Sequence, residues 1–264
     1  MQKILQDIDR LQKFVTENTL SKSIEAKMNE DFKLNYTYDS NAIEGNTLTL
    51  LETKIVLEGI TIGGKSLREH FEVINHHNAI DYIYNLVIDK TLLSEYDIKS
   101  IHSLILKNID DENAGKYREC NVKISGAMHI PPEHYEVPMQ MQDFIQWYHQ
   151  QAFSMHPVIR VSRMHSLFVG IHPFIDGNGR TGRLLMNLEL LKSNLPAISI
   201  KSNKRLEYFK ALDKAQTDKD YQDIDRIIAD CVYQSLLQKE ELILQFLQNK
   251  NNNLHKTNTI KRSR

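Results

Sequence analysis

One stretch gathers more chemically capable side chains than any other part of the chain: HPFIDGNGRTGR, from His172 to Arg183. A histidine able to act as a base heads it. A carboxylate follows at Asp176, then the turn Gly177–Asn178–Gly179, then the arginines Arg180 and Arg183. Glycine and asparagine tolerate positive φ, so successive backbone N–H groups of the turn can point into one concavity and hold an anion. Beyond it, Leu184, Leu185, Leu188 and Leu191 recur at helical spacing. The turn therefore opens a helix, and a helix N-terminus itself favours phosphate. Arg180 and Arg183 reach the same side of that helix, and guanidinium forks match phosphate oxygens. A carboxylate beside a polyphosphate needs a cation between them. Mg2+ is held by one or two carboxylates plus phosphates, which makes Asp176 the candidate ligand. His172 is then a base beside a phosphate chain.

Two rival motifs fit less well. Gly177, Gly179 and Gly182 spell the dinucleotide fingerprint G-x-G-x-x-G, but that fingerprint follows a β-strand, and the preceding SRMHSLFVGI reads as helical. A phosphate-binding P-loop ends in Gly-Lys-Ser/Thr, and Gly182–Arg183–Leu184 does not supply it. A plain glycine-rich turn between helices explains the glycines but not His172, Asp176 and both arginines.

The stretch matches HPF-x-D/E-GNGR-x-x-R at every defined position, and on it the chain resembles the Fic family. A second site extends the resemblance. Residues 40–46 read SNAIEGN at the end of a helical stretch. Taken alone, Gly45 is a helix stop and Glu44 a solvated acid, although an acid there opposes the helix dipole and so seeks a partner. Beside the signature, the segment looks like the family's inhibitory motif S/T-x-x-x-E-G/N, with Ser40, Glu44 and Gly45 in the defined positions. It lies before the core, as in the class whose inhibitory helix is N-terminal.

The resemblance covers Glu25 to Leu247. It implies an all-α, mainly helical Fic fold with a short β-hairpin flap. It further implies an autoinhibited protein adenylyltransferase, which moves AMP from ATP to a Ser, Thr or Tyr hydroxyl of a protein target, itself included. In that reading His172 is the catalytic base and Asp176 holds Mg2+. Gly177, Asn178, Gly179, Arg180, Thr181, Gly182 and Arg183 bind the nucleotide phosphates. Glu44 pairs with Arg183 where the γ-phosphate would sit. Other readings are a Fic enzyme that removes AMP or transfers another phosphoryl or nucleotidyl group, and a non-catalytic helical module that binds nucleotide. The intact GNGR with Arg183 favours AMP transfer, and the retained His172 and Asp176 disfavour the non-catalytic module.

The elements that must position these residues can be read from periodicity and breakers. Helical spacing is expected over Gln2–Asn18, Ser23–Ile43, Thr49–Leu57, Ser66–Val87, Glu95–Leu106 with Ser94 as its cap, from Pro138, from Pro157, and over Tyr221–Leu247. The polar residues of Ser23–Ile43 suggest a helix packed at one side. In Ser66–Val87, Phe71, Ile74, His77, Ile80, Tyr84 and Val87 fall near one face. From Gly115 the character changes. Val122 and Ile124, then Ser125–Gly126, then Met128 and Ile130 suit either a hairpin or an irregular connection, and Pro131–Pro132 blocks continuation. The resemblance favours the hairpin, as a target-docking flap formed by Val122, Lys123, Ile124, Ser125 and Gly126 that holds a protein segment by strand pairing.

After Pro196 and the loop LPAISI, the segment RLEYFKALDKAQ is helical. Its stripe of Tyr208, Phe209, Leu212 and Ala215 reads as core on spacing alone. The resemblance sets Phe209 and Leu212 against adenine, with Gln216 at its edge. Here Phe209 stands where the family more usually has tyrosine. His70, His76, His77 and His165 invite a metal reading, but no Cys or acid spacing supports it, and packed or solvated histidines are expected.

The totals bound the rest. Lys+Arg 33 against Asp+Glu 34 leaves a formal charge of −1, which points to no specific nucleic-acid partner. Cys120 and Cys231 are too few for a disulfide framework, so a cytoplasmic protein is expected. The opening MQKILQDIDRLQKF lacks a signal-peptide core, and no apolar run nears the ~20 residues of a membrane span, so no membrane is expected as a partner. Four regions are expected: an N-terminal helical region over 1–65 with the inhibitory helix, a core over 66–220, a C-terminal helix over 221–249 and a disordered basic tail over 250–264. A homodimer follows from family analogy alone.

Overall fold

A computed structural model of the chain describes residues 1–88 and 92–262, with side chains through 248. The tail expected at 250–264 lies outside the residues whose side chains are described. Along the chain run α1 (Gln2–Glu17), α2 (Lys22–Ile43), α3 (Leu50–Leu57), α4 (Leu67–Ile88), α5 (Glu95–Leu106), α6 (Val137–Gln150), α7 (Pro157–Ile171), α8 (Asn178–Lys192), α9 (Arg205–Thr217) and α10 (Gln222–Arg262). Short 3-10 turns precede α6, α7 and α9. Among the described residues there is no strand.

The arrangement follows from α8, which carries the second half of HPFIDGNGRTGR. Leu184, Leu185, Met186, Leu188 and Leu190 are all buried, so the helix is apolar around most of its girth and must be enclosed. α7, α4 and α5 pack around it, and α1 lies along α10 at the far side. Two of the polar residues that α8 buries, Glu189 and Asn187, are fully engaged, as buried polar groups usually are. Glu189 accepts from Arg160 Nε at 2.9 Å and from the Tyr148 hydroxyl at 2.6 Å. Asn187 makes two bonds with the backbone of Ile198, which fastens the loop after α8. Local chemistry sets the helix ends. Ser94 caps α5 reciprocally with Asp97, and Pro157 begins α7.

Three expectations need correction. No strand forms around Ser125–Gly126. The tip is closed by one bond, from Ala127 N–H to Ile124 O, while the N–H groups of Met128 and His129 donate to the Asp213 carboxylate on α9 at 3.0 and 2.8 Å. A side chain thus takes the donors that a second hairpin strand would have used. The face of α4 is also shifted. His70, Val73, His76, Ile80 and Ile83 are buried and Ile74 is exposed, because the helix is sandwiched and sends polar side chains inward to partners. Finally, α2 does not sit at one side. Its polar C-terminal half, Thr37, Asp39, Ser40 and Asn41, is buried. Asp39 is held there by Ser199 Oγ, Lys201 Nζ and the N–H of Ser202. A pattern based on polarity cannot see such a helix, because its burial depends on partners far along the chain.

Candidate active site

α7 ends at His172, and the manner of its ending aims the ring. Its N–H still reaches Phe168 O at 3.2 Å, but φ 50° and ψ 57° place it in the left-handed region. A non-glycine residue there costs about 1–3 kcal/mol and persists only when its surroundings enforce it. Arg118 provides part of that support: its Nε donates to His172 O at 2.9 Å, and its backbone N–H donates to Pro173 O at 3.0 Å. Phe174 then lies flat on His102 of α5, with ring centroids 3.6 Å apart. The N–H of Gly115 donates to His102 Nδ1 at 2.9 Å, so His102 Nε2 carries the proton and donates to Asp176 O at 2.9 Å. Burial pushes the His102 pKa down to about 4, which keeps this tautomer neutral.

The turn is tighter than expected. Only Gly177 has positive φ, 76°, while Asn178 and Gly179 already belong to the first turn of α8. The Asn178 side chain closes the loop by accepting from Phe174 N–H at 2.9 Å and donating to Phe174 O at 2.8 Å. Gly179 is required for a different reason, close approach: a Cβ there would stand 2.1 Å from Glu44 Oε1. Thr181 is fully buried, and a Cβ on Gly182 would meet Val169 Cγ1 at 2.9 Å. Gly182 thus lets α8 approach Val169 and His165 of α7 closely.

The charged groups converge from four elements. Buried Arg183 donates from Nε to Ser40 Oγ at 3.0 Å, and from Nη2 to Ser40 O and Glu44 Oε1, both at 2.8 Å. Burial works against its charge, but Glu44, Tyr208 and Tyr36 together more than offset this and the pKa of Arg183 rises. Arg180 pairs with Asp176 at 3.3 Å and with Glu72 of α4 at 3.2 Å. Asp176 Oδ1 accepts the N–H of Gly177, and its Oδ2 meets Arg68. Burial raises the Asp176 pKa, but Arg180, the Gly177 N–H and Arg68 outweigh it and hold the carboxyl below its ordinary value. Arg183 Nη1 and Arg180 Nε are buried without a hydrogen-bond partner among the described residues. Such donors are expensive to leave unmet.

Burial also lowers the pKa of His172. Arg118 adds to this, against the backbone of Val169 and the carboxylates of Glu44 and Asp176. The ring is therefore neutral near pH 7 and able to take a proton. Its Nδ1 is buried, which leaves Nε2 as the reachable nitrogen. Beside the Asp176–Arg180 pair opens a cleft of about 280 Å³, walled by Glu44, Asn46, Arg68 and Glu72 among others, with His172 outside its lining.

The residues expected to flank adenine lie on α9 and do not line that cleft. Phe209 is half-buried with the Arg205 guanidinium 4.8 Å from its ring centre, Leu212 is buried, and Gln216 lies against Gly170. The inward residue of this helix is Tyr208, whose hydroxyl bonds His165 Nε2 at 2.5 Å; His165 is fully buried. His70 is likewise bonded, to Ile62 N–H and Ser66 O. Val122 and Ile124 of the docking segment are half-buried, while Lys123, Ser125 and Gly126 are exposed. Sequence reasoning missed Arg118, His102, Arg68, Glu72 and Asp213. None belongs to a recognisable pattern, and each acts through a partner more than 40 residues away.

Comparison with known proteins agrees with this geometry. The model of the Fic/DOC family matches residues 92–190. A protein adenylyltransferase Fic of Drosophila grimshawi is 37% identical over 203 residues, 76% of this chain and 41% of the relative. The chain thus spans about two fifths of the length of the curated relatives it matches. Among solved structures, Fic-1 (aa134 - 508) from C. elegans superposes with a TM-score of 0.84 at 31% identity, covering 92% of this chain and 73% of that one. A Fic domain containing signaling protein from Bacteroides thetaiotaomicron gives 0.82 at 27% identity, covering 92% and 97%. The fold and the site together define a helical Fic core. The chain belongs to the Fic family.

Proposed function

We propose that this chain is an autoinhibited protein adenylyltransferase, which transfers AMP from ATP to a hydroxyl of a protein target. The observation that carries the reading is a neutral His172 beside an anion-binding turn, with buried Arg180 and Arg183 retaining unmet donors. The target hydroxyl oxygen bonds the α-phosphorus, the bond to the pyrophosphate oxygen breaks, and His172 Nε2 takes the hydroxyl proton. General-base help of this kind is worth about 10²–10⁴-fold. The Gly177–Arg180 backbone and Arg180 stabilise charge as the phosphoryl group passes. Arg183 anchors the γ-phosphate and so sets the line of attack.

Asp176 suits a magnesium ion held largely by substrate phosphates. It is one of the carboxylates that line the cleft, and its Oδ2 already meets a cation, Arg68. The described residues contain no cluster of three or more metal-binding side chains, so the phosphates would supply the remaining ligands. When bound, the ion would neutralise phosphate charge.

Glu44 gives the regulation. Its Oε1 lies on Arg183 and above Gly179, in the space an anionic phosphate would take. A charge-assisted hydrogen bond is worth about 1.5–3 kcal/mol, or about ten- to a hundredfold in binding. The test is auto-modification with ATP and Mg2+, read by intact mass. Glu44→Gly raises incorporation of AMP and His172→Ala abolishes it. Activity unchanged by Glu44→Gly while His172→Ala removes it contradicts the inhibitory role, and a phosphate-sized mass shift contradicts AMP transfer. Because the Glu44 carboxylate also acts on the His172 ring, removal of AMP with Glu44 orienting water is a second reading, tested by the same assay started from AMP-modified protein.

A further inference from the structure

We propose that Arg118 is a positioning residue that ties the target-docking loop to the base, one guanidinium gathering both ends of the loop and the backbone of His172. The inference rests on the proposed function and on the target-docking role that the family resemblance implies for residues 122–126. Arg118 is 4% exposed. Its Nε donates to His172 O at 2.9 Å, its Nη1 to Cys120 O at 2.9 Å and its Nη2 to Pro132 O. Cys120 and Pro132 bracket the loop, so the guanidinium closes it into a ring with His172 at the neck. Further along, the ring of His129 bonds Gly170 O at 2.8 Å, two residues before His172. Between these ties the side chains of Met128 and Ile130 are 82% and 77% exposed, while the backbone there is held by Asp213.

Arginine suits this place because its planar fork offers five donors in fixed directions. Three carbonyls from different segments meet one side chain, which lysine's single ammonium cannot match in geometry. The consequence is mechanical. A protein segment bonded to the loop backbone is placed relative to His172 through Arg118, so the hydroxyl and the base keep their spacing while the exposed tip adapts. A misplacement of about 1 Å can cost roughly a hundredfold in rate. Arg118 is also a cation that acts on the His172 ring, against Glu44 from α2 and Asp176 from the turn, which act on the ring in the opposite sense.

The test places Arg118→Lys and Arg118→Met in the Glu44→Gly protein. ATP affinity within about threefold of the parent shows that the nucleotide wall is intact. The proposal expects backbone amides of 121–131 to exchange at least about tenfold faster in both variants, and kcat for AMP transfer to fall at least about tenfold. It also expects the His172 ring, followed by NMR, to titrate at higher pH in Arg118→Met than in Arg118→Lys, which keeps the charge. Loop exchange and His172 titration like the parent's would overturn it, as would full turnover. If Arg118→Met does not fold, Arg118→Lys decides through exchange and kcat. If the parent transfers no AMP at all, the proposed activity fails, while exchange and the ring titration still decide the tie.

Discussion

Two walls face His172, and they are built differently. The wall formed by α2 and α8 is dense: Arg183 is buried and held by three bonds to Ser40 and Glu44, and Asp39 fixes the same helix end through three more. The wall formed by residues 120–132 is open, exposed at its tip and fastened at its neck by Arg118 and along its return by Asp213. A rigid wall can discriminate one phosphate more or less, since a misplaced charge there has nowhere to relax. An open wall fastened at few points can accept varied protein segments. The proposed function divides along the same contrast, with nucleotide selection and inhibition proposed for α2 and α8, and target choice for the loop.

The largest expected effect is at the shared centre. His172→Ala lowers AMP transfer by about 10²–10⁴-fold or more while leaving ATP binding near the parent's; comparable losses of both would dissolve the division between the walls. Next is the dense wall, where Glu44→Gly raises transfer by about ten- to a hundredfold in a quantitative labelling assay. Smaller is Arg68→Ala, which removes the guanidinium on Asp176 Oδ2. It lowers the Mg2+ concentration for half-maximal nucleotide binding by about two- to fivefold, since an exposed pair is worth about 1 kcal/mol or less. An unchanged requirement would mean that Arg68 does not compete for Asp176.

A separate effect, away from both walls' chemistry, is on stability against pH. His102 and His165 stay neutral in the fold down to about 4 and about 3 because burial disfavours their charge. Unfolded histidines take up protons near 6.5. The unfolded state thus binds more protons below that value, so stability falls as the pH drops from about 6.5 towards 4. Urea midpoints at pH 7 and pH 5 measure this, and equal midpoints would contradict it.

Legibility followed the same division. The placement of His172, Asp176, Gly177, Arg180 and Arg183 was readable because they lie within one local turn and helix, where spacing maps directly to geometry. Glu44 was readable only beside them: alone it is an acid at a helix end, and its partner lies 139 positions away. The open wall misled. Alternation at Val122, Ile124, Met128 and Ile130 resembles strand pairing, yet the donors of Met128 and His129 go to Asp213, 84 to 85 positions on. Arg118 and His102 carry no pattern because their roles, gathering carbonyls and bonding one backbone oxygen, are defined only by assembled backbone. The helical fold was legible from period and caps. The burial of α2 was not, since its polar residues become core only through distant partners.

The central claim is that the Glu44 carboxylate holds the place of the γ-phosphate on Arg183. Calorimetric titration of ATP and ADP, each with Mg2+, into the parent protein and Glu44→Gly tests it directly. The account predicts that the substitution tightens ATP by about tenfold or more and ADP, which lacks the γ-phosphate, much less. Equal gains for both nucleotides, or none for either, would contradict it.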